Sequence, residues 1–281
     1  MDASEELYQM AIAMPLDRKE EKALAVIREY GQKMVDLFGF VPVAFSGGKD
    51  SIVIKDLVRR SGLPYRCFYA VTTIDPPELV HYIMEHHPDT KWIRPAKGTF
   101  FHRLAMKGPP SRLVRWCCAE YKESRIPYQW RVLGVRAEES RSRKQNWKVF
   151  TPFKDGSVVI APILYWTDAD VWAYIRAKAL PYCKLYDEGW TRLGCIGCPL
   201  AGVSQQIKEF RRWPRYAQLW KRGVVRYYDA HHGKISRTKQ PYWIDKPEQA
   251  ACFTTGEGYF HWWLLSQRHT DDEATCVMGM F

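Results

Sequence analysis

At 281 residues, with 46% hydrophobic and 26% charged side chains, the chain can bury a full core and is too balanced in composition to be disordered. No apolar run reaches the roughly 20 residues of a membrane span, and the opening MDASEELYQMAIAMPLDRKEEK is too acidic for a secretory signal, so a cytoplasmic protein is expected. A net charge of +11 suits polyanionic partners, and eight cysteines in a cytosolic chain favour metal or redox chemistry over a disulfide framework.

Residues 1–40 read as helical, with Leu24, Ile27, Met34, Leu37 and Phe38 on one face. Val41, Val43, Ala44 and Phe45 then form a short apolar strand. It ends in Ser46-Gly47-Gly48-Lys49-Asp50-Ser51 and passes into a helical stripe of Ile52, Val53, Leu57 and Val58. Such a turn leaves backbone N–H groups without partners at a helix N-terminus, where the dipole favours an anion. Gly47 and Gly48 have no Cβ to keep a ligand away from the backbone, Lys49 adds charge, and Ser46 and Ser51 add hydroxyls. A phosphate chain is the expected ligand. The spacing is not that of a Walker A loop.

Further along, 65–72 reads as strand, 78–86 as helix, 91–94 as strand, and 99–106 and 112–125 as helices. Strands at 131–135 and 158–161 and a helix at 168–178 follow. This alternation predicts an α/β fold, a mostly parallel sheet with helices on both faces and its ligand at the carboxyl ends of the strands. Beyond Gly202 the pattern changes to aromatic-rich helices. Three parts are expected: a helical segment at 1–40, a nucleotide-binding domain at 41–202, and a basic extension at 203–281 packed on it.

Several residues in these elements are candidates for chemistry. Thr72 and Thr73, at a strand end, could read an adenine or ribose edge. Asp50 and Asp75 are candidates for magnesium, because ATP cleavage needs a cation spanning phosphates. Arg136, Arg141 and Arg143 follow a strand and can grip phosphate or sulfate with planar forks, unless the run is simply a solvated loop. Glu139 could orient one of them or a metal-bound water. Trp166, Asp170 and Trp172 read as builders of the fold.

Cys117 and Cys118 are adjacent, while Cys195 and Cys198 form a Cys-x-x-Cys turn with Gly194 and Gly197. Together they offer four thiolates to an iron–sulfur cluster or to zinc. Adjacent cysteines point apart, which suits a bulky [4Fe–4S] cluster better than one small ion. Zinc, a redox dithiol and structural cysteines remain open alternatives. Between Lys208 and Lys239, ten basic residues oppose only Glu209 and Asp229, with Phe210, Trp213, Tyr216, Trp220, Tyr227 and Tyr228 interleaved. That mixture suits an unpaired nucleic acid. It also suits an amphipathic helical pair whose aromatics face the core.

With two further stretches, LGVRAEESRSR and PILYWTDADVWAYI, these motifs over about residues 40–202 resemble the phosphoadenosine phosphosulfate (PAPS) reductase family of N-type, PP-loop ATP pyrophosphatases. The 46–51 loop is similar to the PP-loop, which in that family holds the pyrophosphate leaving ATP. The two stretches match its Gly-x-Arg-x-x-Glu-Ser and Pro-x-x-x-Trp-Thr-x-x-Asp-Val-Trp elements. The paired cysteines resemble the cluster ligands of its iron–sulfur members. The resemblance implies an adenine nucleotide alpha hydrolase-like fold, with ATP, Mg2+ and a [4Fe–4S] cluster as cofactors. It implies Lys49, Asp50, Arg136 and Glu139 as catalytic residues, and Cys117, Cys118, Cys195 and Cys198 as cluster ligands. Ser46, Gly47, Gly48, Ser51, Thr72, Thr73, Asp75, Arg141 and Arg143 would bind the nucleotide. The family's reductases carry a Glu-Cys-Gly-x-His tail, whereas DDEATCVMGMF leaves Cys276 without the neighbouring Gly and His. The chain is therefore similar rather to the ATP pyrophosphatase of DNA phosphorothioation systems. That likeness implies a nucleic-acid partner, DNA before tRNA, and a sulfur donor such as a cysteine desulfurase, and it allows a homo-oligomer. PAPS or adenylylsulfate reduction is the alternative.

Overall fold

The computed structural model describes residues 3–123, 125–236, 240 and 242–266. In chain order the elements begin with α1 (Ala3–Ile12), α2 (Leu16–Phe38), β1 (Val41–Ala44), α3 (Lys49–Arg60) and β2 (Tyr65–Ala70). Next come α4 (Pro77–His86), β3 (Lys91–Ile93), α5 (Phe100–Lys107), α6 (Trp116–Cys118) and β4 (Trp130–Leu133). They are followed by α7 (Arg141–Asn146), β5 (Phe150–Pro152), β6 (Val158–Ile160) and α8 (Asp168–Ala177). The last helices are α9 (Val203–Arg212), α10 (Pro214–His231), α11 (Pro247–Ala250) and α12 (Gly256–Ser266).

The chain divides into two compact units. The first comprises the segments ending at Val71, Arg94 and Gly194; the second comprises Thr72–Asp75, Pro95–Glu123 and the chain from Cys195 onward. The composition change at Gly202 does not coincide with a unit boundary, because short segments from the middle of the chain join the second unit.

The first unit holds a six-stranded sheet of order β3-β2-β1-β4-β6-β5. Its neighbours are parallel except β5, which runs antiparallel to β6. Helices flank this mostly parallel sheet, as the strand–helix alternation predicts. β1 lies centrally, with Val41, Pro42 and Val43 buried, and the strand order reverses on either side of it. A crevice opens at the carboxyl end of such a strand, where the 46–51 loop lies. α3 follows at once and buries Ile52, Val53, Ile54, Leu57 and Val58.

Two expectations change. The helix read over 112–125 shrinks to α6 and a wide turn at Ala119–Glu123. Before it, Ser111 N–H bonds to the Val114 carbonyl (3.2 Å) and Val114 N–H to Ser111 Oγ (3.0 Å), closing a turn that a helix could not contain. β5 and α7, three and six residues long, are too short to leave a periodic signal.

The second unit is built around aromatic rings. Trp220 is fully buried on α10, stacks on Trp263 at 4.7 Å and meets Phe100 at 4.8 Å. Phe210, Trp213 and Tyr228 are buried as well. These rings are core residues, and none of the four is available to stack on a base. Among the described residues no helix is long and apolar enough to cross a membrane.

Candidate functional site

The phosphate-loop residues come together as one turn in the first unit. Gly47 adopts φ 74°, and a Cβ there would lie 2.7 Å from Ile83 Cγ1, so the turn can close over α4 only with glycine. Ser51 Oγ donates to the Gly48 carbonyl (2.8 Å), and the Ser46 and Ser51 hydroxyls lie 3.3 Å apart. The Lys49 N–H is taken by the Tyr186 hydroxyl at 2.9 Å. Among the described residues no protein acceptor meets the N–H groups of Gly47, Asp50 or Ser51. The first turn of α3 therefore keeps donors and its dipole for an anion.

Charges beside the loop form a closed alternation. Arg136 is 4% exposed, and its guanidinium reaches Asp50 Oδ1 (2.5 Å), Glu138 Oε2 (2.6 Å) and Asp168 Oδ1 (3.0 Å). Lys49 Nζ stands 3.2 Å from Asp168 Oδ1 and 3.4 Å from Asp50 Oδ2. The fork read as a phosphate grip at Arg136 is thus occupied by carboxylates: this residue positions Asp50 and Asp168. Glu139 accepts from the Arg136 N–H (3.0 Å) and pairs with Arg143. Burial pushes the Arg143 guanidinium below its usual range and Arg192 pushes the same way, with Asp50 opposing. Arg192 is thus close enough for its charge to act on Arg143, whose own guanidinium is paired with Glu139. Arg141 is exposed on α7 and makes no ion pair among the described residues.

Glu138, Asp168, Tyr186 and Arg192 were not singled out in the sequence as site residues. Asp168 lies in the Trp-Thr-x-x-Asp element, and Tyr186 and Arg192 lie in the LYDEGWTRLGC run, so motif proximity was the available signal.

Thr72, Thr73 and Asp75 belong to the second unit. Thr72 Oγ1 accepts from Ile74 N–H (3.2 Å) and Thr73 Oγ1 from Phe100 N–H (2.9 Å), so both hydroxyls are engaged by backbone. Thr73 sits at φ 67°, a left-handed conformation rare for a β-branched residue. Asp75 is buried, and its charge acts on Lys122 and Cys195.

All four motif cysteines also lie in this unit, half-buried and free of disulfides. The Cys195–Cys198 turn is gripped by its peptide groups. Gly197 N–H donates to Glu209 Oε2 (2.6 Å), Gln206 Nε2 donates to the Gly197 carbonyl (3.0 Å), and Trp220 Nε1 donates to the Ile196 carbonyl (3.0 Å). A Cβ on Gly197 would lie 2.6 Å from Trp220 Nε1, so glycine is required for this grip. A hydrogen bond with Cys118 pushes the Cys117 thiol up, burial adds to it, and Cys195 and Cys198 contribute. Burial pushes Cys195 up to about 12, Lys122 pulling it down and Asp75 raising it. The Lys122 ammonium is in turn held above its ordinary range, chiefly by Cys195. The four sulfurs thus share one neighbourhood. They do not form a closed shell: among the described residues no three His, Cys, Asp or Glu side chains form a group that could hold a metal ion. Cys276, Arg237 and Lys239 lie outside the described residues.

Residues 41–201 match the phosphoadenosine phosphosulfate reductase domain. An uncharacterized protein of Methanocaldococcus jannaschii is 28% identical over 77% of this chain and 47% of its own length. Adenosine 5'-phosphosulfate reductase 2 of Bacillus subtilis is 27% identical over 66% of this chain and 80% of its own. The crystal structure of the PAPS reductase of Candida auris, a phosphate complex, aligns with TM-score 0.45 at 18% identity, over 64% of this chain and 93% of that one. The chain spans about half the length of the two Methanocaldococcus jannaschii relatives it matches. With the domain match running over more than half of its residues, the chain belongs to the phosphoadenosine phosphosulfate reductase domain family.

Proposed function

We propose that the chain is an AMP-forming ATP pyrophosphatase that activates a nucleic-acid oxygen for replacement by sulfur, as in DNA phosphorothioation. The observation that carries this reading is the 46–51 turn, with backbone donors left at the start of α3 and Lys49 beside them. The acceptor oxygen attacks the α-phosphorus of ATP, the bond from that phosphorus to the bridging oxygen breaks, and pyrophosphate leaves. Sulfur at the hydrosulfide level then attacks the activated centre, and AMP departs with the oxygen. The sum is acceptor oxygen, ATP and hydrosulfide giving acceptor sulfur, AMP and pyrophosphate, with no net redox change.

The N–H groups of Gly47, Asp50 and Ser51, with Lys49, stabilise the charge that gathers on pyrophosphate. Arg143, paired with Glu139 at rest, and Arg192 would be the guanidinium groups to meet the remaining phosphate oxygens, and Arg136 keeps Asp50 and Asp168 in place. Those two carboxylates are the hard oxygen donors that Mg2+ takes, and the ion would neutralise the phosphates. By donor type Cys117, Cys118, Cys195 and Cys198 are the residues that would hold a [4Fe–4S] cluster, with zinc the lesser alternative, and their thiols would have to gather around it, since they form no closed shell among the described residues. Bound there, the cluster would supply a place to hold sulfur received from a donor such as a cysteine desulfurase.

The Bacillus subtilis relative favours a second reading, reduction of adenylylsulfate to sulfite and AMP without ATP cleavage. ATP labelled at the α-phosphate, incubated with DNA, tRNA or neither, separates the two. The first reading expects labelled AMP that rises with nucleic acid. Intact ATP, together with sulfite released from adenylylsulfate and a thiol reductant, would overturn it.

A further inference from the structure

The second unit carries a basic groove that the chemistry above does not use. Gly223 of α10 faces α5 so closely that a Cβ would lie 2.6 Å from Leu104 Cδ2, which lets the two helices cross in contact. Beside the crossing runs a groove of about 300 Å³. Thr99, Phe101 and His102 line one wall, and Leu219, Arg222 and Arg226 line the other.

Arg222 and Arg226 are exposed, and neither makes an ion pair or side-chain hydrogen bond among the described residues. Their neighbour Lys221 behaves differently: it pairs with Glu257 at 2.8 Å. Arg215 lies two turns before Arg222, exposed on the same face of α10. Four residues apart on a helix is about 6 Å of rise, a step that consecutive phosphates of an extended strand can match. Asp229, one turn beyond Arg226, ends the stripe and makes no ion pair with it among the described residues. The half-buried Phe101 ring contributes an aromatic surface beside the arginines, backed by Tyr216 and Trp220.

We infer that this groove binds the backbone of an unpaired nucleic-acid strand, with Arg222 and Arg226 on successive phosphates and Phe101 against a base or sugar. Charge complementarity selects a polyanion, and an aromatic ring set beside the arginines favours the unpaired bases of a single strand over a duplex. The inference rests on the proposed nucleic-acid acceptor and names where that acceptor is held.

Fluorescence anisotropy of the whole chain with labelled single-stranded DNA, the matching duplex and the matching RNA, over a salt series, tests it. Arg222→Gln/Arg226→Gln should weaken single-strand binding about 10- to 100-fold at about 0.1 M salt, and reduce the slope of log affinity against log salt by about 1.4. Arg222→Lys/Arg226→Lys should restore most of the affinity, and Lys221→Gln should change little, which separates lost contacts from lost folding. Phe101→Leu should weaken binding about tenfold without changing the slope. Preference for the duplex, absence of binding at low salt, or an unchanged slope in the double glutamine variant would each overturn the groove. If the groove binds DNA or RNA but neither stimulates AMP formation, the acceptor reading falls and the groove stands. If nucleic acid drives AMP formation and the double variant binds as the parent does, the groove falls and the acceptor reading stands.

Discussion

Removing the Arg136 guanidinium would leave Lys49 as the one cation between Asp50 and Asp168 among the described residues, and would take the guanidinium away from Glu138. Arg136→Ala should cost about 2–4 kcal/mol in urea unfolding, below the roughly 3–5 kcal/mol of a fully buried broken pair, because Glu138 and Asp168 are half in solvent. A loss below about 0.5 kcal/mol would mean that the three carboxylates find other partners. The two loop glycines should respond differently. At Gly47 a side chain meets Ile83, so Gly47→Ala strains the turn itself. At Gly48 the nearest atoms to an added Cβ are Ser46 Oγ at 3.4 Å and the Tyr186 hydroxyl at 3.5 Å, so the protein has room. Gly48→Val should keep the unfolding midpoint and lose ATP binding by calorimetry; unchanged ATP affinity would remove the loop from the site. Lys49, Asp50 and the glycines were legible because the loop is contiguous in sequence. The division of labour between Glu138 and Glu139 was not. It depends on the short turn at Ala137–Glu139, which gives Glu138 the Arg136 guanidinium and Glu139 the backbone N–H.

Elements carry their own tests. His87 closes α4, with Nε2 at 2.8 Å from the Tyr82 hydroxyl and Nδ1 at 3.2 Å from Lys55 Nζ. Burial pushes its pKa down to about 4, with Lys55 adding to the shift. The unfolded chain takes up a proton near pH 6.5, whereas the folded imidazole stays neutral. Stability from this site is therefore full above about pH 6.5 and falls by roughly 1.4 kcal/mol per pH unit down to about pH 4. Urea midpoints across that window should drop in the parent and flatten in His87→Gln; parallel curves would show that His87 is not the group responsible. In the second unit, Trp220→Ala removes a fully buried ring and the hydrogen bond to the Ile196 carbonyl. It should cost about 3–5 kcal/mol, the range for a core tryptophan. A stable variant with weakened nucleic-acid binding would return Trp220 to the surface. The helical spacing of Trp213, Trp220 and Tyr216 was visible in the sequence and fitted a core face and a binding face equally well. Only the packing partners Phe100 and Trp263, more than forty residues away on either side, decide for the core.

For the whole molecule, the parallel sheet and the place of the loop at its switch point follow from strand–helix alternation, which is local. The make-up of the second unit is not local. Thr72–Asp75 and Pro95–Glu123 join the chain after Cys195 through long-range packing that no periodicity announces. The Cys117–Cys118 and Cys195–Cys198 pairs were matched by motif, and the second unit places both in one neighbourhood. Protein purified without oxygen should be brown, with about four iron and four sulfide per chain. Cys195→Ser or Cys198→Ser should lose that colour while Cys67→Ser, a buried thiol of the first unit, keeps it. One zinc in a colourless preparation would replace the cluster. Sulfur insertion itself is tested most directly on the acceptor. Single-stranded DNA is incubated with the chain, ATP, Mg2+ and an isotopically labelled sulfur donor, then digested to dinucleotides and read by mass spectrometry. The mechanism predicts labelled sulfur in place of one oxygen, formed only when ATP is present and absent with Gly48→Val. Unmodified DNA, with sulfite produced from adenylylsulfate by the same preparation, would contradict it.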